Sequence, residues 1–315
     1  MITFKRYWDK FGTLGMLLLI VIGLSIASPR FFLTVNNITQ IGVQSTIFLL
    51  LAFGVFFAIL IAGIDLSVGA VAGLTGMLIA MMMNAGISVP LALLIGLLCA
   101  SVFGALNGVL INATELHPFV ITLGTQSIFR GVTLIISDGR PVFNLPASFR
   151  GIAGFVGAIP IPIIITAVIA IILAFFTKYT ILGRNIYALG GNKQAAWYSG
   201  INIKTHTLIV HMLSGLMAGV AGIVMTARIG AAEPLAGQGL ETFAIAACII
   251  GGTSFFGGKG KIFGVVMGGL IIGTISNGLN ILNVPSFWQQ VVMGALIIGA
   301  VALDKLVGKT ADRTS

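Results

Sequence analysis

Charge is the scarcest property of this 315-residue sequence: Asp, Glu, Lys and Arg together make up 8%, against about 25% in soluble globular chains. A water-soluble protein of this size needs far more charge on its surface. Cysteine is nearly missing too. Cys99 and Cys248 each sit inside an apolar run, so a disulfide framework is excluded and no metal-ligand spacing exists. His117, His206 and His211 stand isolated, and with no His-Glu zinc helix, nucleophile elbow or Cys/His pair there is no catalytic constellation. A phosphate loop is also missing. In Gly258-Lys259-Gly260-Lys261, Thr253 stands where a Walker A needs its first glycine and Gly260 where it needs Ser or Thr. An ATP-driven machine built on this chain would take its ATPase from another subunit.

What is present is apolar. Hydrophobic residues make up 57% of the chain and mean hydropathy is +1.11, with apolar runs from end to end, which implies a surface facing lipid. The net charge of +9 would suggest nucleic acid if the cations formed a patch, but they lie in short connections between apolar segments, where they report topology. Nucleic-acid binding is excluded on that ground. Lys5, Arg6 and Lys10 precede an apolar run over 11–27, the layout of a signal peptide. No A-x-A cleavage site follows and the chain continues through Pro29, Arg30, Phe31 and Phe32, so the run reads as a first helix.

A helix needs about 20 residues to cross the hydrocarbon. Cutting the chain at its polar and Gly/Pro-rich interruptions yields ten segments, 11–27, 41–62, 66–83, 90–112, 118–137, 160–177, 205–226, 241–256, 262–282 and 286–303. The expected fold is an all-α, polytopic transmembrane bundle of about ten helices in one domain, 1–315, with both termini cytoplasmic. The third and eighth segments are flanked by glycine and are also compatible with re-entrant or broken helices. With the N-terminus inside, twelve Lys and Arg fall in inner connections and four (Arg30, Arg140, Arg150, Arg228) in outer ones. That imbalance sets the orientation by the positive-inside rule.

Polar residues within the segments mark a candidate path: Asp65, Ser67, Asn107, Thr125, Gln126 and Arg130. Asp65 follows the second segment, where with Ser67 and Gly69 it can cap the start of the third; a substrate or gate contact and an ion-coupling site are the alternatives. Arg130 shares the fifth segment with Thr122, Thr125, Gln126 and Ser127, and must face water, a partner or the bundle interior unless it snorkels outward. Such a helix suits a sugar path. Gln44, Ser45, Asn277 and Asn280 are weaker candidates, because amides and hydroxyls also hold helices together. Asp65, Glu115, Glu233 and Glu241 all fall at segment ends, which leaves an ion-coupled secondary transporter only Arg130 as a buried ionisable group. Glycines four apart, among them Gly69 and Gly73, Gly104 and Gly108, and Gly215 and Gly219, predict close helix packing.

Two connections are long. The outer one, 138–159, carries Phe143, Phe149 and Phe155 and reads as a loop lying on the protein or membrane surface. In the inner one, 178–204, Asn192 can cap two turns of helix that Gly200 ends, with Ala195 and Ala196 beside Trp197. Such a helix can dock into a groove on a partner; a plain surface turn is the alternative.

The stretch Gly183-Arg184-Asn185-Ile186-Tyr187-Ala188, then Gly190-Gly191-Asn192, Ala195-Ala196 and Ser199-Gly200-Ile201, resembles the coupling segment of ABC permeases that import ribose, allose, galactofuranose and related sugars. Gly63-Ile64-Asp65-Leu66-Ser67-Val68-Gly69, Gly104-Ala105-Leu106-Asn107-Gly108, His117-Pro118-Phe119-Val120-Ile121-Thr122-Leu123-Gly124-Thr125 and Gly251-Gly252-Thr253-Ser254-Phe255-Phe256-Gly257-Gly258-Lys259-Gly260 match the same family in order along nearly the whole chain. Gly230-Ala231-Ala232-Glu233-Pro234-Leu235-Ala236-Gly237 and Tyr198-Ser199-Gly200 are most similar to its allose-importing members. The resemblance implies a non-enzymatic inner-membrane permease without cofactor or metal. It further implies a separate ATP-binding subunit, a soluble periplasmic sugar-binding protein and a second permease copy as a homodimer. Within 183–201, it places Gly183, Arg184, Gly190, Asn192, Gln194, Ala195, Ala196, Ser199, Gly200 and Ile201 at the ATPase contact. Gln194 and Trp197 depart from the family, which often has glutamate and a basic residue there, so a salt bridge to the ATPase is not implied.

Overall fold

The computed structural model describes residues 2–285, then 287–292, 294–296, 298, 299 and 302, with side chains from residue 12 onward. In chain order the helices are α1 (Ile2–Ala27), α2 (Val35–Leu60), α3 (Val68–Asn84), α4 (Val89–Thr114), α5 (Pro118–Ser137), α6 (Ala147–Arg150), α7 (Ile161–Tyr179), α8 (Ile181–Gly191), α9 (Lys193–Tyr198), α10 (Ile203–Ile229), α11 (Leu240–Ile250) and α12 (Ile262–Ile281). Between α6 and α7 lie a 3-10 turn, Gly151–Ala153, and a two-stranded antiparallel hairpin, Phe155–Val156 with Ile159–Pro160. Among the described residues six helices, α2, α4, α5, α7, α10 and α12, are long and apolar enough to cross a membrane. The fold is the expected polytopic helical bundle. The tenth expected segment, 286–303, lies partly outside the described residues, and those described within it are helical. Lys305, Lys309, Arg313 and the side chains of Lys5, Arg6 and Lys10 lie outside them.

Local signals set most boundaries. Thr34 and Asn202 cap α2 and α10 by accepting from Asn37 N and Thr205 N, and Pro118 opens α5 behind His117, whose ring nitrogen accepts from Phe119 N. The core forms around α2, buried without interruption from Ser45 to Leu60, as expected of a helix apolar on every side. Around it pack α10, α11 and α12, and α10 in turn packs on α3 and α4. Glycine makes the α4–α10 contact possible. A Cβ on Gly215 would fall 2.8 Å from Gly104 N, so only a pair of glycines lets these backbones approach so closely.

One expectation changes. The eighth segment, 241–256, is helical only to Ile250, where Gly251 and Gly252 (φ 83°) turn the chain. With 11 residues, α11 rises about 16 Å, roughly half the hydrocarbon thickness. The third segment is the 17-residue α3, about 25 Å long. Of the two surfaces expected for the outer connection, it lies on the protein: Phe149 is fully buried, and Val142 pairs with Ala232 in an isolated bridge. Phe143 and Phe155 stay exposed.

Candidate functional site

After α2 ends, residues 61–67 break the helix before α3 begins. The break lets Asp65 turn back on its own chain: Oδ1 accepts from Ser67 N at 2.9 Å and Ser67 Oγ at 2.6 Å. Oδ2 accepts from Ser214 Oγ of α10 at 2.7 Å. The cap expected of Asp65 is therefore only half of its role. Ser67, not Asp65, stands at the N-cap position of α3, and Asp65 is 1% exposed, pinned between the start of α3 and the middle of α10. A buried carboxylate is tolerable here because three donors meet it.

From Ser67 the polar contacts run on to α4 and α5. Asn107 Nδ2 donates to Ser67 Oγ at 2.8 Å, and Thr125 Oγ1 donates to Asn107 Oδ1 at 2.6 Å. One turn earlier on α5, Thr122 Oγ1 donates to Ile64 O and accepts from Leu66 N, tying the broken segment to α5. One turn onward, Gln126 Nε2 donates to Glu241 Oε1 at 2.8 Å. Arg130 does not snorkel. Its guanidinium turns inward and Nη1 donates to Pro234 O at 3.0 Å and Ala236 O at 2.7 Å. A Cβ on Gly73 would sit 3.1 Å from that nitrogen, so α3 must be smooth where the clamp lies.

All six expected path residues thus belong to a polar seam running along α5 between α3, α4, α10 and the 230–239 loop. Glu241, expected at a segment end away from the interior, is instead buried, 9% exposed, in the first turn of α11. Asp65 and Glu241 are therefore both interior acids, contrary to the expectation from segment ends. The reason is the same for each: a broken or short helix brings its end inside the bundle. Ser214 and Glu241 were not among the expected path residues; an acid opening an unusually short apolar run was the available signal for Glu241.

The inner connection contains two helices. Thr180 caps α8 by accepting from Gly183 N at 3.0 Å, and Asn192 caps α9 by accepting from Ala195 N at 2.9 Å. Gly200 (φ 81°) ends it in the left-handed region, as expected. The first helix, α8, was not expected as one. Its inner face is seated tightly: a Cβ on Gly183 would meet Thr177 Cα at 2.8 Å, and one on Gly190 would run into Leu60 O and come within 2.6 Å of Gly258 N. Tyr187 Oη donates to Gly260 O at 2.9 Å, and burial pushes this phenol above its ordinary pKa. Asn185 Nδ2 meets His206 Nε2 at 3.2 Å, linking α8 to the start of α10; His206, which looked isolated in the sequence, is part of that link. Arg184, Asn192, Gln194, Ala195, Ser199 and Gly200 face solvent, Ile201 is half-buried, and Ala196 is buried. Exposed Trp197 and Tyr198 pack edge to face at 5.0 Å. The segment is a firmly mounted platform with an uncovered aromatic edge.

No group of three or more His, Cys, Asp or Glu residues that could hold a metal occurs among the described residues. The family model for the branched-chain amino acid transport system permease component matches residues 37–301. The chain belongs to that family. This permease is 58% identical over 97% of its length, and 94% of the relative's, to the D-allose transport system permease protein AlsC of Escherichia coli. It is 42% identical to the ribose import permease protein RbsC of Bacillus subtilis, covering 96% and 95% of the two chains. With the L-arabinose transport system permease protein AraH of Escherichia coli it shares 36% identity over 96% and 92%. No solved structure matches it. The permease is accordingly the multi-pass membrane subunit of an ABC import system, a transport component and not an enzyme.

Proposed function

We propose that this permease forms the path for a monosaccharide of the allose and ribose type, with D-allose the first candidate. The observation that carries the proposal is the 58% identity to the D-allose permease across 97% of the chain. In this reading Asp65, Ser67, Asn107, Thr125, Gln126 and Arg130 line or support the path, since hydroxyls, amides and a guanidinium match the hydroxyls of a sugar. A second copy of the chain completes the path, and a soluble periplasmic binding protein delivers the sugar.

Residues 183–201 dock on the ATP-binding subunit from the cytoplasmic side, with Ala195, Ser199 and Gly200 offering a low surface beside Trp197. Movement of that platform passes through Gly190 to the end of α2 and the 251–261 crossing, and through Asn185 and His206 to α10. The even number of expected spans and the twelve inner cations support cytoplasmic termini. An ion-coupled transporter draws no support from Asp65, which is already saturated with donors from its own bundle.

The test is to extract the chain gently from its native membrane, identify what accompanies it, and assay ATP hydrolysis with and without Gly200→Trp. A co-purifying ATPase that is lost on substitution is expected. Extraction of the chain alone, with no ATPase under any gentle condition, would remove the importer assignment.

A further inference from the structure

The amino end of α3 is buried and incompletely bonded. Val68, Gly69 and Ala70 are buried, and their amides, which lie in the helix's first turn, find no hydrogen-bond partner among the described residues. Glu241 lies beside Gly69. Its Oε1 is held by Gln126, but Oε2 is buried with no partner among the described residues, and it points at Gly69, 2.6 Å from where a Cβ on that glycine would sit. Buried amides and a buried acceptor oxygen thus lie around one glycine, unbonded to each other. Each would be costly to leave unpaired.

Whatever pairs with both must accept from amides and donate to a carboxylate. An anion is repelled by the carboxylate and a cation by the amides and the positive end of the helix. A neutral hydroxyl satisfies both. In this structure the space is closed, because the backbones of Gly69 and Gly237 lie directly against each other. The covering loop has glycines in the left-handed region at its two ends, Gly230, Gly237 and Gly239 with φ of 75°, 77° and 79°, and between them Arg130 binds the carbonyls of Pro234 and Ala236.

We propose that Glu241 and the amino end of α3 form a station that takes one hydroxyl of the transported sugar, covered here by the 230–239 loop and opened when Gly237 withdraws from Gly69. The inference rests on the monosaccharide reading above. Gly69 is glycine because any side chain would fill the station and strike the loop.

The test uses the complete importer in liposomes, with ATP on the cytoplasmic side, and compares uptake of D-allose with uptake of its monodeoxy analogues. With the native chain, at least one analogue is expected to be taken up about tenfold more slowly than D-allose, the loss of one hydrogen bond to a charged group. In Glu241→Ala the ratio of D-allose uptake to uptake of that analogue is expected to fall about tenfold from its native value. Penalties imposed by the binding protein are the same for both chains and cancel. Should Glu241→Ala fail to assemble, Glu241→Gln carries the test, with discrimination at the same hydroxyl reduced and at the others unchanged. A discrimination pattern identical to the native one across every analogue would overturn the station, leaving water as its occupant. Native importer that takes up no sugar with ATP would instead overturn the monosaccharide reading on which the station rests.

Discussion

Gly190 and Gly191 are neighbours on α8 with opposite surroundings. A Cβ on Gly190 has no room between Leu60 and Gly258, whereas one on Gly191 meets nothing within 4 Å. Gly190→Ala is therefore expected to cost about 1–3 kcal/mol or more by overpacking, and Gly191→Ala to be neutral or slightly stabilising; melting of the purified protein in detergent measures both. Equal behaviour of the two variants would contradict the seating of α8. Ser214→Ala leaves Asp65 Oδ2 buried without a donor and is expected to destabilise by about 1–3 kcal/mol in the same assay. Asp65 also shows how far the sequence reaches. Its turn with Ser67 was legible because both partners lie two residues apart, but Ser214 is 149 residues away, and no local pattern announces a hydroxyl that distant.

Long apolar elements were legible, some to the residue: α5 was expected over 118–137 and is Pro118–Ser137, whereas α2, expected over 41–62, begins at Val35, because its first turns carry Asn36, Asn37, Thr39 and Gln40. The short elements were not. At the stop of α11 after Ile250, Gly251 packs so closely on Gly264 that a Cβ there would fall 2.6 Å from Gly264's carbonyl carbon, and that contact is invisible in a hydropathy run that continues through Phe255 and Phe256. Likewise α8 mixes Arg184, Asn185 and three glycines into 11 residues, so neither length nor apolar content marks it; its capping Thr180 was the one local sign. In contrast, α9 was readable from its caps alone. Asn192→Ala removes the acceptor for Ala195 N and is expected to cost about 1 kcal/mol locally. Faster amide hydrogen exchange over 193–198 with the rest of the bundle unchanged is the expected result, accompanied by weaker ATP-driven transport. Unchanged exchange would mean that α9 is held by its neighbours and not by its cap.

For the whole molecule, the orientation and the energy source stand together. A chain freed of its native cysteines and carrying Trp197→Cys, at a site 60% exposed, is expected to react with a membrane-impermeant thiol reagent only from the cytoplasmic face. Phe143→Cys, 54% exposed on the opposite long connection, should react only from the other side. Labelling of both from one face would break the topology. The composition alone showed that the molecule lives in a membrane, and the seam on α5 was legible as a set of polar residues in apolar runs. That they lie along one seam, bonded in separate groups, follows from two helix ends brought inside the bundle, which depends on tertiary packing.

The most direct measurement is uptake of D-allose by the reconstituted chain with its ATP-binding subunit and sugar-binding protein, in liposomes with no ion gradient. Uptake that requires ATP and is lost in Gly190→Ala or Gly200→Trp is the predicted result. Uptake by the chain alone, driven by a sodium or proton gradient and indifferent to ATP, would contradict it.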